Sequence, residues 1–111
     1  MAGVDDRIDL VVAPALETLQ ALPPDQHVDF AFLDADKTGY LAYYEEIVPR
    51  LSPHALIAVD NVLWSGRVLD AGADDADTVA LRAFNDHVIA DDRVTSVLLS
   101  VGDGVNLIRL A

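Results

Sequence analysis

The chain contains no cysteine, which excludes disulfide bonds and thiolate metal sites. Basic residues are scarce: seven lysines and arginines stand against 19 acidic residues, giving a net charge of −12. Because phosphates are bound through Lys and Arg, this composition argues against nucleic acid as a partner. The sequence shows no N-terminal signal segment and no apolar run near the ~20 residues of a membrane span. We therefore expect a soluble, cytoplasmic protein that binds neither nucleic acid nor membranes.

Hydrophobic residues are plentiful, at 52% of the 111 residues, and the length allows one folded domain. Strand-like and helix-like patterns alternate three times, with strands predicted at residues 9–13, 28–33 and 56–59. The first two helices are predicted from residue 14 and over 38–51. A third follows from about residue 76, and we expect one of its faces to be made of Ala80, Ala83, Phe84, His87 and Val88.

The C-terminal part carries two more apolar runs, 94–101 and 105–110, on either side of Gly102-Asp103-Gly104. Glycines in a short polar break between two such runs are typical of a hairpin turn. The whole order predicts an α/β layered domain whose sheet is mostly parallel and ends in an antiparallel hairpin.

Two of the predicted strands end in polar residues. Phe30-Ala31-Phe32-Leu33 leads into Asp34, and Leu56-Ile57-Ala58-Val59 leads into Asp60-Asn61. Four consecutive apolar residues suggest parallel strands buried on both faces, and the carboxyl ends of such strands open onto a ligand crevice. If the strands are neighbours, these oxygen-bearing side chains converge on a site for Mg²⁺, with Mn²⁺ and Ca²⁺ as alternatives. Lys37 stands beside that site as a possible base.

Two motifs carry a family resemblance. Leu33-Asp34-Ala35-Asp36-Lys37, with Tyr40 just beyond, precedes Val59-Asp60-Asn61-Val62-Leu63-Trp64-Ser65-Gly66. Their content, order and spacing resemble the cation-dependent O-methyltransferases, which are related to the caffeoyl-CoA and catechol enzymes and use S-adenosylmethionine. Val101-Gly102-Asp103-Gly104-Val105 is similar to the last hairpin of that family. The resemblance implies a Rossmann-like methyltransferase fold, a small catechol-like hydroxylated acceptor, Mg²⁺ as the first choice of divalent cation, and a homodimer.

The resemblance also implies roles for individual residues. The metal ligands would be Asp34, Asp60 and Asn61, and Lys37 would stand where the catechol enzymes place their general base. Trp64 would line the acceptor pocket. Asp36, Asp34 and Tyr40 would bind the methyl donor. The turn Ala13-Pro14-Ala15 would border the donor's adenine.

The sequence departs from the family in its N-terminal part. Its six glycines form no G-x-G loop between a strand and a helix, so the Gly-rich donor-binding segment is absent. Residues 1–7 resemble the tail of a helix that precedes the family's third strand. The expectation is that residues 1–111 are the C-terminal part of a single methyltransferase domain, truncated and with its own activity in question.

Three other interpretations stay open. The stretch 32–39 also fits the nucleophile motif of haloacid-dehalogenase-like phosphatases, with Asp34 as nucleophile and Asp36 as acid/base. Gly102-Asp103-Gly104-Val105-Asn106 is similar to an acidic segment of those phosphatases, but Leu107 replaces the Asp expected there. The phosphatase interpretation also leaves the Asp60-Asn61 motif unexplained. The chain could instead be a non-catalytic remnant that exposes strand edges to a partner. Without the resemblance, Asp34, Asp36 and Thr38 would be interpreted as caps of the helix that follows.

Overall fold

The computed structural model describes residues 3–111. The predicted helix tail at residues 1–7 is covered only in part: Asp5–Arg7 form a single 3₁₀ turn, and residues 1–2 lie outside the described range. The regular elements are α1 (Ala15–Ala21), β1 (Val28–Leu33), α2 (Tyr40–Ile47), β2 (Leu51–Asp60), α3 (Ala76–Ala90), β3 (Val94–Leu99) and β4 (Val105–Leu110). None of these helices has the length and apolar composition that crossing a membrane requires.

The four strands form one sheet in the order β1-β2-β4-β3. β1 and β2 pair in parallel, whereas β4 is antiparallel to both β2 and β3. Three strands therefore run in one direction and only β4 is reversed. The residues between β3 and β4 form the hairpin turn that Gly102 and Gly104 predict, each with a positive φ. This sheet confirms the predicted α/β fold and its terminal hairpin.

The core lies between the helices and one face of the sheet. Tyr40 and Tyr44 of α2 and Phe84 of α3 are fully buried, and they meet Ile57 and Val59 of β2 in one cluster. Phe84 contacts both tyrosine rings edge-to-face, with centroids 5.7 Å apart in each pair. This aromatic layer fixes the start of α2 against β2, which is where the polar strand ends lie.

The prediction that both central runs are buried on two faces holds for β2 and is wrong for β1. Ile57, Ala58 and Val59 are all buried, but Phe30 and Phe32 are each 58% exposed. Side chains alternate across a strand, so these two phenylalanines share one face of β1. Both side chains on that face are therefore largely open to solvent.

The predicted strand at residues 9–13 does not form. Leu10 and Val12 are 87% and 91% exposed, and the segment leads into α1, with a bend at Ala13, without joining the sheet. A strand exists only through hydrogen bonds to a neighbour, and no described strand lies beside this segment. Apolar composition alone therefore misled the prediction.

Two other boundaries differ from the prediction. The helix predicted over 38–51 is an α-helix only over Tyr40–Ile47, with 3₁₀ turns at both ends, and β2 already begins at Leu51. The start of β2 is irregular, because Val28 pairs with Leu51 but Phe30 pairs with Leu56. Pro53, which cannot donate a ladder hydrogen bond, lies in this irregular stretch.

The predicted face of α3 is partly wrong. Its buried residues are Thr78, Leu81, Phe84 and Val88, whereas Ala83 and His87 are exposed. Alanine is small enough to occupy either face of a helix, so its spacing carried little information about which side is buried.

Candidate active site

The carboxyl ends of β1 and β2 lie side by side. Leu33, the last residue of β1, pairs with Val59 in the parallel register, so Asp34 and Asp60 each follow directly at the same edge of the sheet. This is the condition on which the predicted convergence of Asp34, Asp60 and Asn61 depended. The structure thus brings the two strand ends together as the sequence pattern requires.

Lys37 and Tyr40 connect the two strand ends. The Lys37 Nζ donates to the carbonyl oxygen of Ala35 and to the Tyr40 hydroxyl, both at 2.8 Å, and lies 3.3 Å from Asp34 Oδ1. The buried Tyr40 hydroxyl in turn donates to the carbonyl oxygen of Asp60 at 2.9 Å. A continuous chain of hydrogen bonds therefore runs from the Asp34 carboxylate to the end of β2.

The charge state of Lys37 follows from these contacts. Burial alone would lower the pKa of Lys37, but its hydrogen bonds to Tyr40 and Asp34 outweigh burial and raise the pKa above its ordinary value. Its ammonium group lies 5.6 Å from the centre of the Trp64 ring. The predicted base and the predicted acceptor-pocket residue are thus neighbours, and Lys37 is a cation in this state of the protein.

The loop that follows β2 has an unusual backbone. Asn61, Trp64 and Ser65 all have positive φ angles between 50° and 63°, a region that non-glycine residues rarely occupy. Such conformations persist only where surrounding contacts hold them. Asn85 of α3 donates to the carbonyl oxygen of Val62 at 2.9 Å, and the other contacts come from the β3–β4 turn.

Asp103, at the tip of that turn, provides most of these contacts. Its carboxylate accepts from Asn61 Nδ2 at 3.1 Å and from the Ser65 backbone N–H at 2.5 Å, and its carbonyl oxygen accepts from the Leu63 N–H at 3.0 Å. From the sequence we predicted Asp103 as part of a hairpin turn, or of the phosphatase-like segment, and missed these contacts with the loop. The signal was topological: if β4 pairs with β2, the turn before β4 must lie beside the end of β2.

Gly104 allows the turn and the loop to approach closely. Its φ is +83°, and an added Cβ would come 2.5 Å from Leu63 Cγ. Gly102 has a φ of +56°, but open space surrounds its Cβ position. The two glycines therefore share the positive φ and differ in the contact.

This difference gives a matched pair of variants. Gly102→Ala should lower the free energy of unfolding by ~1–2 kcal/mol, the strain of a left-handed alanine. Gly104→Ala should lose a further ~1–3 kcal/mol, because Leu63 and its loop must move to admit the methyl group. Urea unfolding of both variants measures the difference, and equal losses would show that the loop yields freely at Leu63.

A cavity of about 380 Å³ opens beside the end of β1. Of the residues predicted to bind the methyl donor, Ala13, Ala15 and Asp34 line this cavity. Pro14, Asp36 and Tyr40 do not line it. Asp36 instead accepts a 2.5 Å hydrogen bond from the Tyr43 hydroxyl, and the ring of Tyr43 forms part of the cavity wall.

A second polar cluster lies elsewhere, between α2 and the end of α3. Ligand atoms of Glu45, His87 and Asp91 lie within 4.8 Å of one another. The Arg93 guanidinium already binds this cluster, at 2.9 Å from Glu45 and 2.7 Å from Asp91. That hydrogen bond to Arg93 is the main reason why the pKa of Asp91 lies well below its usual range. The cluster is an ion-pair network that joins the two helices, and His87 is one of its exposed members.

Comparison with known proteins now identifies the class of protein that this fold and site define. The O-methyltransferase family profile matches residues 1–111, and the chain belongs to this family. It is 48% identical over 111 residues to a probable caffeoyl-CoA O-methyltransferase 2 of Dictyostelium discoideum, covering 96% of this chain and 48% of that protein.

Solved structures agree with this assignment. The SAH-bound methyltransferase of Podospora anserina superimposes with a TM-score of 0.85 at 34% identity, covering 98% of this chain and 51% of that one. The Bacillus cereus O-methyltransferase in complex with SAH gives a TM-score of 0.87 at 30% identity, covering 97% and 52%. The chain thus spans about half the length of the relatives it matches.

These comparisons give no support for the phosphatase alternative. In the structure, Gly102, Asp103 and Gly104 form the turn between β3 and β4, and Leu107 lies within β4. The Asp103 carboxylate is engaged with the loop after β2. The resemblance of this segment to a phosphatase motif is therefore confined to its letters.

Proposed function

We propose that this chain contributes the metal and acceptor side of an S-adenosylmethionine-dependent O-methyltransferase acting on a small catechol-like hydroxylated compound. The observation that carries the proposal is the hydrogen-bonded connection between the ends of β1 and β2, with Trp64 and a cavity beside it. The chain spans about half the length of its relatives. From the motifs that it carries, residues 1–111 are proposed to be the C-terminal part of one methyltransferase domain.

The side chains at the two strand ends fit a divalent cation. Asp34 uses one carboxylate oxygen for Lys37, and Asp60 uses Oδ1 for the backbone N–H of Asn61 at 2.7 Å. Their second oxygens accept no hydrogen bond from residues 3–111. Together with the amide oxygen of Asn61 they form an all-oxygen donor set, which suits Mg²⁺. These three residues would hold the cation.

The cavity beside β1 supports the proposal that S-adenosylmethionine binds next to the metal site. Both of the solved relatives described above carry SAH, which is S-adenosylmethionine after loss of its methyl group. In this chain the cavity places the apolar turn residues Ala13 and Ala15 near Asp34, so a donor held there would lie next to the metal ligands. Tyr43, whose hydroxyl donates to Asp36, would complete that wall.

The reaction is an in-line displacement. With the donor bound, the acceptor's hydroxyl oxygen would form a bond to the donor's methyl carbon as the carbon–sulfur bond breaks with its electrons going to sulfur, and the Lys37 Nζ would take the hydroxyl proton. Alignment of the reactants can supply up to ~7–11 kcal/mol. A divalent cation held by Asp34, Asp60 and Asn61 would act as a Lewis acid that orients the acceptor and lowers the pKa of its hydroxyl group.

Lys37 must lose its proton before it can act as the base. Its pKa is raised by Tyr40 and Asp34 in this state, and positive charge bound nearby lowers the pKa of a lysine. We therefore place the base form of Lys37 only in the complex with cation and donor. Its contacts with Ala35 and Tyr40 hold the Nζ in position for that step.

Calorimetric titration of the purified chain with S-adenosylmethionine, with Mg²⁺ or with EDTA, tests the proposal together with mass spectrometry of a dihydroxylated aromatic acceptor. We expect donor binding and a singly methylated product that EDTA abolishes. Product formation that survives EDTA would contradict the metal assignment. Absence of both binding and product would support the non-catalytic remnant.

A further inference from the structure

The Asn61 side chain is the one proposed metal ligand that can present the wrong atom. Its amide offers an oxygen on one side and an NH₂ group on the other, and only the oxygen can coordinate a cation. The two carboxylates have no such ambiguity, because Asp34 and Asp60 present oxygen in either orientation. Something must therefore select the orientation of the amide.

Asp103 is the group that contacts this amide. An ionised carboxylate is an acceptor only, so it can bind the NH₂ side of Asn61 and not the oxygen side. The Asn61 Nδ2 lies 3.1 Å from Asp103 Oδ2, which leaves Oδ1 available on the other side. Asp103 itself is fixed, because its other oxygen accepts the Ser65 N–H and its carbonyl oxygen accepts the Leu63 N–H.

We infer that Asp103 is a positioning residue that selects the metal-binding orientation of the Asn61 amide. This inference rests on the proposed function, since it assumes that Asn61 is a ligand. Asp103 touches neither cation nor substrate in this role. Residues that orient a ligand in this way typically change metal affinity by ~10–100-fold when they are replaced.

Asp103→Asn is the informative variant. It keeps the shape of the side chain, but it replaces a carboxylate that can only accept hydrogen bonds with an amide that can also donate them. Its own amide can pair with either side of Asn61, so part of the protein should present NH₂ to the cation. We expect the affinity for Mn²⁺, used as the probe and measured by calorimetry on the full chain, to fall by ~10–100-fold. Asp74→Asn, which removes an exposed charge elsewhere, controls for the change in net charge and should leave the affinity unchanged.

Repeating the substitution in the Asn61→Asp variant separates two possible roles of Asp103, namely orienting the Asn61 amide and holding the loop in place. Asn61→Asp offers an oxygen in either orientation, so adding Asp103→Asn to it should not weaken Mn²⁺ binding further. A loss of equal size in both backgrounds would overturn the inference, because Asp103 would then act only through Ser65 and Leu63. Wild-type affinity in Asp103→Asn would overturn it as well. Thermal unfolding of each variant verifies that it is folded.

The proposed function fails in a different way. If Asp34→Asn leaves Mn²⁺ affinity unchanged, the cation is not bound at the strand ends, and both proposals fall. If Asp34→Asn weakens binding while Asp103→Asn does not, the metal site stands and only the positioning role is lost.

Discussion

Asp34→Asn should reduce cation-dependent methyl transfer by ~100-fold or more while leaving the fold intact. The variant keeps the shape of the side chain but removes the charge that would hold the cation, and Lewis-acid stabilisation by a bound metal is worth several kcal/mol. The Asp34 side chain is 52% exposed, so its ion pair with Lys37 adds little to stability. The measurement is kcat/KM as a function of Mg²⁺ concentration, alongside thermal unfolding.

Asp36→Asn is the matched control for this experiment. It makes the same chemical change two residues away, in a carboxylate that binds Tyr43 on the donor side. We expect a weaker apparent affinity for the methyl donor and an unchanged dependence on Mg²⁺. If Asp34→Asn instead keeps the wild-type Mg²⁺ dependence, or if both variants lose it equally, the separation of metal and donor roles is wrong.

Phe84→Ala should produce the largest loss of stability, ~3–5 kcal/mol in the free energy of unfolding. Phe84 is fully buried and packs edge-to-face against Tyr40 and Tyr44. Its removal leaves a cavity next to Tyr40, which connects Lys37 to β2. We therefore expect the hydrogen bonds of Tyr40 at the site to be less well fixed in this variant. Urea unfolding followed by circular dichroism gives the magnitude.

Phe32→Ala makes the same substitution on the uncovered face of β1. Because Phe32 is 58% exposed, its truncation should cost less than ~1 kcal/mol. A loss as large as that of Phe84→Ala would mean that the outer face of β1 is packed in solution. Comparing the losses of unfolding free energy in Phe84→Ala and Phe32→Ala therefore shows how much more a buried phenylalanine stabilises this fold than an exposed one.

The sequence predicted those parts of the fold in which local pattern and tertiary structure agree. The run 28–33 is strand-like in composition, is followed by polar residues and finds a neighbour in β2, so its bounds were predicted correctly. The parallel pairing of β1 and β2 followed from the same reasoning and is confirmed. Residues 9–13 have the composition of a strand but no described neighbour, and composition cannot reveal whether a partner is present.

The site was less accessible to prediction than the strands. Asp34, Asp60 and Asn61 could be named because they follow predicted strands, yet their contacts with Lys37 and Tyr40 depend on how α2 starts. The contribution of Asp103 comes from a strand pairing that joins residues far apart in the sequence. Such long-range contacts leave no periodic trace in the chain. The roles of Asp34, Asp60 and Asn61 as metal ligands remain predictions.

The engagement of the β3–β4 turn with the loop after β2 has a practical consequence for engineering. Exposed hairpin tips usually tolerate the insertion of a peptide tag or a reporter domain, because their backbone makes few hydrogen bonds to the rest of the protein. Here the tip at Asp103 and Gly104 accepts hydrogen bonds from Val62 and Leu63. An insertion there would displace the loop that carries Trp64, so this turn is a poor site for a fusion.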